Sequence, residues 1–206
     1  MSPGQRMNAV PLGKLGELMQ GLPHRFTPSR GQEQADGPAF HLLSIGDIAG
    51  LALRPPDSQP VHLPHGTPVN KYALREGDVL MTIRTRPFRA AVVLNDSMPM
   101  MPTQNLAVLR PRSSDLHGPY LAAYLNTPEA QAVLDGQYTQ SAATPLLKLS
   151  TLSEIPIPLP PLELQRRIAE LALGFEDEER AAWSALDERR VLVQQSISQA
   201  IRGGLE

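Results

Sequence analysis

The chain has 206 residues, 41% of them hydrophobic and only 4% aromatic, so a core has to be built from Leu, Val, Ile and Ala, and a disordered chain is excluded. It contains no cysteine, which excludes disulfide frameworks, thiolate nucleophiles and Cys-ligated zinc and suits a reducing compartment. The net charge of −2 provides no general positive field: residues 1–155 hold 13 Lys+Arg against 12 Asp+Glu (+1) and residues 156–206 hold 6 against 9 (−3), so nucleic-acid binding has to rest on a local arginine patch.

The opening segment MSPGQRMNAVPLGKLGELMQ has no basic stretch followed by an apolar run. Nowhere does an apolar stretch approach the roughly 20 residues that span a bilayer, so the expectation is a cytoplasmic protein without a membrane partner. Residues 21–38 lack periodicity and are rich in Pro, Gly, Ser and Gln, which predicts an exposed loop. From about residue 40 to 110 the runs FHLLSIGDI, YALREGDVLMTIR, FRAAVVLND and NLAVLRP read as strands and turns. Glu76-Gly77-Asp78 is a turn signal before Val79, Leu80 and Met81, and Asn95-Asp96-Ser97 closes the next run. Tyr120, Leu121, Tyr124 and Leu125 fall at helical spacing, and Thr127-Pro128-Glu129 supplies a cap and a first-turn proline for a second helix through Leu134. Residues 136–150 predict a loop leading to a short strand or turn.

In LSEIPIPLPPLELQRRIAE, Ile155, Ile157 and Leu159 alternate with Pro156, Pro158 and Pro160. The alternation is that of an extended edge clamped by its apolar side chains, while the missing amides bar it from the middle of a sheet. Pro161 then stands near the first turn of a helix that continues to about Arg202. Leu164, Ile168, Leu171, Phe175, Ala182, Leu186, Val193, Ile197 and Ala200 form one apolar stripe along it, about 60 Å long. Gly203-Gly204 is a stop signal, and Gly174 costs about 1 kcal/mol relative to alanine. The expected fold is α+β: a globular domain of short strands and a few helices over residues 1–154, a proline strut over 155–161 and one long coiled-coil helix over 162–206. A stripe of that length marks an interface.

IPIPLPPLELQRRIA resembles the segment that opens the helices in specificity subunits of type I restriction-modification systems, and LLSIGDI, LREGDVLMTIR and PYLAAYLNTPEAQAVL resemble blocks of that family's target recognition domain in the same order. The resemblance implies a non-enzymatic reader of double-stranded DNA that holds a methyltransferase, and in some systems a restriction subunit, on its target. It implies that methyl transfer takes place on the partner, with S-adenosylmethionine that this chain does not bind; no cofactor is expected here. Family members usually carry two recognition domains and two helices, whereas this chain has one of each. It looks like a half-size subunit that forms a homodimer or pairs with another half-subunit, antiparallel through the helix, so that each head reads a half-site.

Candidate DNA contacts are Arg84, Arg86 and Arg89 in IRTRPFRA, a cluster between two apolar runs that suits phosphate or guanine, and Gln137, Tyr138, Thr139, Gln140 and Ser141, whose amides and hydroxyls suit base edges. Lys71, Arg75 and Lys148 are weaker phosphate candidates; solvated surface is the plain alternative for all of these. No metal site is expected, since His62 and His65 are close but lack a third ligand. No phosphate loop, GxSxG, HExxH or adenine-methyltransferase motif occurs. Glu163 and Glu176 to Glu179 read as a solvated face, Phe175 and Trp183 as packing residues, and Gln165 as a structural support of the helix entrance. An assembly adaptor of a phage-defence complex without DNA specificity is the alternative function, and a nuclease is disfavoured by the absence of a carboxylate-lysine cluster.

Overall fold

A computed structural model describes residues 9–27, 37–137 and 146–203. The chain divides into two units, one running to Ala169 and one from Glu170 on.

The first unit is built on a four-stranded antiparallel sheet in the order β2 (Gly16–Gln20), β8 (Leu106–Pro111), β5 (Val79–Thr82), β6 (Ala90–Val92). The two central strands are continuous apolar runs and are buried on both faces, as VLMT and LAVL require. A three-stranded sheet adds β3 (Ala39–Leu43) between β4 (Val61–His62) and β7 (Met100–Pro102), with β3 and β7 parallel. Leu43, Ile48, Leu80, Ala91 and Leu106 form the main core, with Met19 and Met100 at its margin. Gly77 turns the chain into β5 at φ 85°, a backbone state that suits glycine. The next residue, Asp78, is 1% exposed and takes Arg110 from the neighbouring strand in a bidentate ion pair, Nε–Oδ1 2.9 Å and Nη2–Oδ2 2.7 Å. Its carboxylate raises the pKa of Arg110, against the lowering effect of burial.

Two helices, α2 (Gly118–Leu125) and α3 (Pro128–Gly136), follow the spacing and the cap read from the sequence; the Thr127 hydroxyl accepts from the Ala130 amide. Three expectations are corrected. The stretch from Gly21 is not all exposed loop: Leu22 is fully buried, its amide donates to the Pro102 carbonyl, and His24–Phe26 form a 3-10 turn. Within residues 136–150 the described end is neither strand nor turn, because Leu149 begins a short helix, α4 (Leu149–Ser153), that buries Leu152. The alternation of the strut also ends early. Ile155 and Ile157 are buried as expected, but Leu159 is only half-buried and Pro160 takes the buried place, since its carbonyl faces Gln165.

Among the described residues the strut forms β9 (Pro156–Pro158), which pairs antiparallel with β1 (Ala9–Pro11) alone, Val10 opposite Ile157. The first two turns of α5 (Leu162–Gly203) belong to this unit, and Ala169 is buried in it. The second unit is the remainder of α5, where every described side chain from Asp177 to Arg202 is exposed.

Candidate nucleic-acid interface and pairing helix

Residues 83–89 connect β5 and β6 and carry the arginine cluster. The connection is held at both ends: the Thr82 amide donates to the Arg89 carbonyl, the Arg89 amide donates to the Thr82 hydroxyl, and Phe88 is buried. Asn126 braces it from α2, accepting from the Ala90 amide and donating to the Ala90 carbonyl. This frame differentiates the three arginines. Arg86 forms a bidentate pair with Asp135 of α3, Nε–Oδ1 2.9 Å and Nη2–Oδ2 2.6 Å, with both side chains partly exposed. Arg84 is half-buried, and its Nε is buried without a hydrogen-bond partner among the described residues. Arg89 is exposed. An unpaired buried guanidinium nitrogen is costly unless an anion or a carbonyl meets it, which sets Arg84 apart from the other two arginines of this loop.

Gln137 is the exposed residue that ends α3, two positions after the Asp135 that pairs with Arg86. Tyr138, Thr139, Gln140 and Ser141 lie outside the described residues. The other cations are not gathered with them. Lys71 lies on α1 (Val69–Tyr72) with its ammonium 5.2 Å from the centre of the Tyr72 ring, and it lines an open groove of about 440 Å³ together with Glu17, Gln20, Gln104 and Leu149. Lys148 is the exposed residue before Leu149, and Arg75 donates to the Asn70 carbonyl. Glu17, which pairs with Arg112, makes that groove a mixed-charge surface. Sequence reasoning missed Asp135 and read Asp78 only as part of a turn, because their partners lie 49 and 32 positions away.

No group of three or more His, Asp or Glu suited to a metal occurs among the described residues. The His62 Nδ1 lies 2.8 Å from the Gly37 carbonyl, an acceptor only, so that nitrogen carries the proton and is not a ligand.

The entrance of α5 is fixed by one side chain above all. Gln165 is 1% exposed; its Nε2 donates to the carbonyls of Asp115 (2.7 Å) and Pro160 (2.8 Å), and its Oε1 accepts from the His117 amide (2.9 Å). Tyr120 adds a hydrogen bond from its hydroxyl to the Pro158 carbonyl at 2.8 Å, and burial pushes this phenol up to about 12, with the neighbouring Tyr124 contributing. Along the helix, Leu164 is exposed and Ile168 half-buried within the first unit, whereas Leu171, Phe175, Ala182, Leu186, Val193 and Ile197 are all exposed in the second.

The sequence profile of the type I restriction modification DNA specificity domain matches residues 67–174, more than half of the chain and the part that contains the arginine loop, α2, α3, the strut and the helix entrance. The chain belongs to this specificity-domain family. Nothing matches among curated proteins. Among solved structures, it is similar to a chain from a study of complex assembly and conformational transition in the type I R-M system (24% identity, TM-score 0.61, covering 95% of this chain and 44% of that one). It is also similar to the HsdS subunit of Thermoanaerobacter tengcongensis (23% identity, TM-score 0.52, 90% and 40%) and to the type I system S subunit of M. genitalium (13% identity, TM-score 0.52, 90% and 43%). The specificity-domain chain thus spans less than half the length of the structures it matches. These likenesses show the fold: a sheet-containing α+β unit followed by a long C-terminal helix. Specificity subunits of this family are DNA-recognition proteins without catalytic chemistry of their own.

Proposed function

We propose that this chain is the DNA-recognition subunit of a type I-like restriction-modification complex, reading one half of a two-part target and positioning a partner adenine methyltransferase there. The observation that carries the reading is the joining of a specificity-domain head, by a strut buried at Ile155 and Ile157, to a helix that leaves six stripe residues in water. Exposed apolar surface on that scale calls for a partner helix, from an identical copy or another half-length subunit. The head, strut and helix are assigned to residues 1–154, 155–161 and 162–206. Contacts to DNA are assigned first to Arg84 and Arg89 and to Gln137 with the residues that follow it, because the loop is rigidly framed and Arg84 has an unmatched buried donor. Arg86 contributes once Asp135 gives it up, and Lys71, Arg75 and Lys148 add phosphate contacts from a separate surface. Methyl transfer, with its S-adenosylmethionine, belongs to the partner in the cytoplasm, and in some systems a restriction subunit joins the same complex.

The test is selection from a randomised duplex pool with the chain alone and with its co-purified methyltransferase. Enrichment of an interrupted two-part sequence is expected. Absence of enrichment in both conditions overturns the reading in favour of an assembly adaptor.

A further inference from the structure

We infer that Gln104 and Asn105, on the turn that leads from β7 into β8, are base-reading residues of the head, with side chains suited to adenine. This rests on the reading of the head as a DNA-recognition domain and goes beyond it by naming residues that set which sequence is read.

Three adjacent polar residues, Thr103, Gln104 and Asn105, form this turn, and each is half-buried. Their carbonyls are all engaged. That of Thr103 accepts from the Leu106 amide (3.0 Å), that of Gln104 from the Gln20 Nε2 (2.6 Å) and that of Asn105 from the Ile83 amide (3.2 Å), while the Thr103 amide donates to the Leu43 carbonyl (2.9 Å). Gly21 packs tightly against the turn, since a β-carbon there would collide with the carbonyls of Pro102 and Thr103.

The side chains of the same three residues are the reverse. The Thr103 hydroxyl is shut off from solvent without a partner, and the carboxamides of Gln104 and Asn105 make no hydrogen bond among the described residues. Elsewhere in the head, carboxamides withdrawn from water act as brackets: those of Gln20, Gln131 and Gln165 all donate to main-chain carbonyls. A polar side chain drawn partly out of water on a fixed backbone, and left without an internal partner, costs stability and suits a partner from outside.

The surroundings name that partner. The turn stands between two cationic surfaces: Arg84, with its unmatched Nε, follows the Ile83 that is bonded to Asn105, and Lys71 lines the same groove as Gln104. Glu17 also lines that groove, but its carboxylate is taken up by Arg112 at 2.6 Å. Cations grip phosphates and fix the register of a duplex, and uncharged hydrogen-bonding groups held between them read base edges. A carboxamide presents a donor and an acceptor side by side, which matches the N6 donor and N7 acceptor of adenine in the major groove.

The test uses the full-length chain co-purified with its methyltransferase, in selection from a randomised duplex pool. Q104A/N105A is expected to lose about tenfold in discrimination at one or two adjacent base pairs of the enriched sequence. Its other positions, its melting temperature and the salt dependence of its duplex affinity should stay as in the wild type, since no charge is removed. Q104E replaces the donor by a second acceptor and is expected to turn the preference at one position from adenine towards cytosine, whose N4 amino group it can accept from. A structural role for the turn cannot produce such a change of base identity. Unchanged preferences at every position in both variants, or an equal loss of discrimination at all positions, overturns the inference. Either result beside an enriching wild type leaves the recognition reading standing, whereas a wild type that enriches nothing overturns both.

Discussion

Gln165 is the point at which the head takes hold of the helix, and its three hydrogen bonds can be removed one chemical feature at a time. Replacing it by alanine deletes the amide and leaves the His117 amide and the carbonyls of Asp115 and Pro160 without their partner in a buried place. At about 1 kcal/mol net for each bond, the loss is about 3 kcal/mol, offset by a few tenths from alanine's better helix propensity. For a unit of this size that corresponds to a melting temperature lower by roughly 6–12 °C. Gln165→Glu keeps the shape and the acceptor for His117 but sets a carboxylate against two carbonyl oxygens. Burial and those oxygens raise the pKa of the introduced carboxyl in the fold, so its stability is fully present below the unfolded value of about 4.3 and is lost as pH rises through the folded one. The Glu variant should therefore melt close to wild type at pH 4 and well below it at pH 7.5, measured by scanning calorimetry at both pH values. A Gln165→Ala protein melting within about 2 °C of wild type, or a Glu variant whose deficit is the same at both pH values, would refute the clamp.

Tyr120→Phe removes the bond to the Pro158 carbonyl and should cost about 1 kcal/mol at pH 7 in urea unfolding. In the wild type the raised phenol is a stabilising group while protonated, fully so below the unfolded pKa of about 10 and lost as pH rises through about 12, so the Phe variant should show a flatter loss of stability over that window. Asp78→Ala strands Arg110 and should cost about 3–5 kcal/mol in chemical denaturation, much of it recovered in Asp78→Ala/Arg110→Leu, where no charge is left unpaired. Asp135→Ala breaks the ion pair with Arg86 and should raise affinity for duplex DNA and steepen its salt dependence by up to about one phosphate contact; an unchanged slope takes the 83–89 loop out of the interface.

The features legible in the sequence were those whose cause is local. The alternation of Ile155 and Ile157 with prolines specified an edge strand, Thr127-Pro128 specified a capped helix, and Glu76-Gly77 specified the turn into Val79, each because the residues themselves restrict the backbone. What escaped was set by neighbours distant in the chain. Leu22 stands between Gly21 and Pro23 with no period to mark it, and the bridge to Thr103 brings it into the core. Met100–Pro102 ends in a proline and still forms a strand, since its partner β3 lies parallel to it and one side suffices. The division of labour among Arg84, Arg86 and Arg89 was likewise invisible, because it depends on an acid in α3 that takes one of them.

The pairing of Val10 with Ile157 joins positions 147 residues apart, nearly the whole head. Closing so large a loop is slow and is repaid only when the intervening strands are already packed, so β9 settles late in folding. During synthesis, β1 must wait while the rest of the head emerges, and the first two turns of α5 dock only when that wait ends. A chain with a misfolded head thus has no docked strut ahead of α5, and the first turns of that helix inherit every error of the sheet.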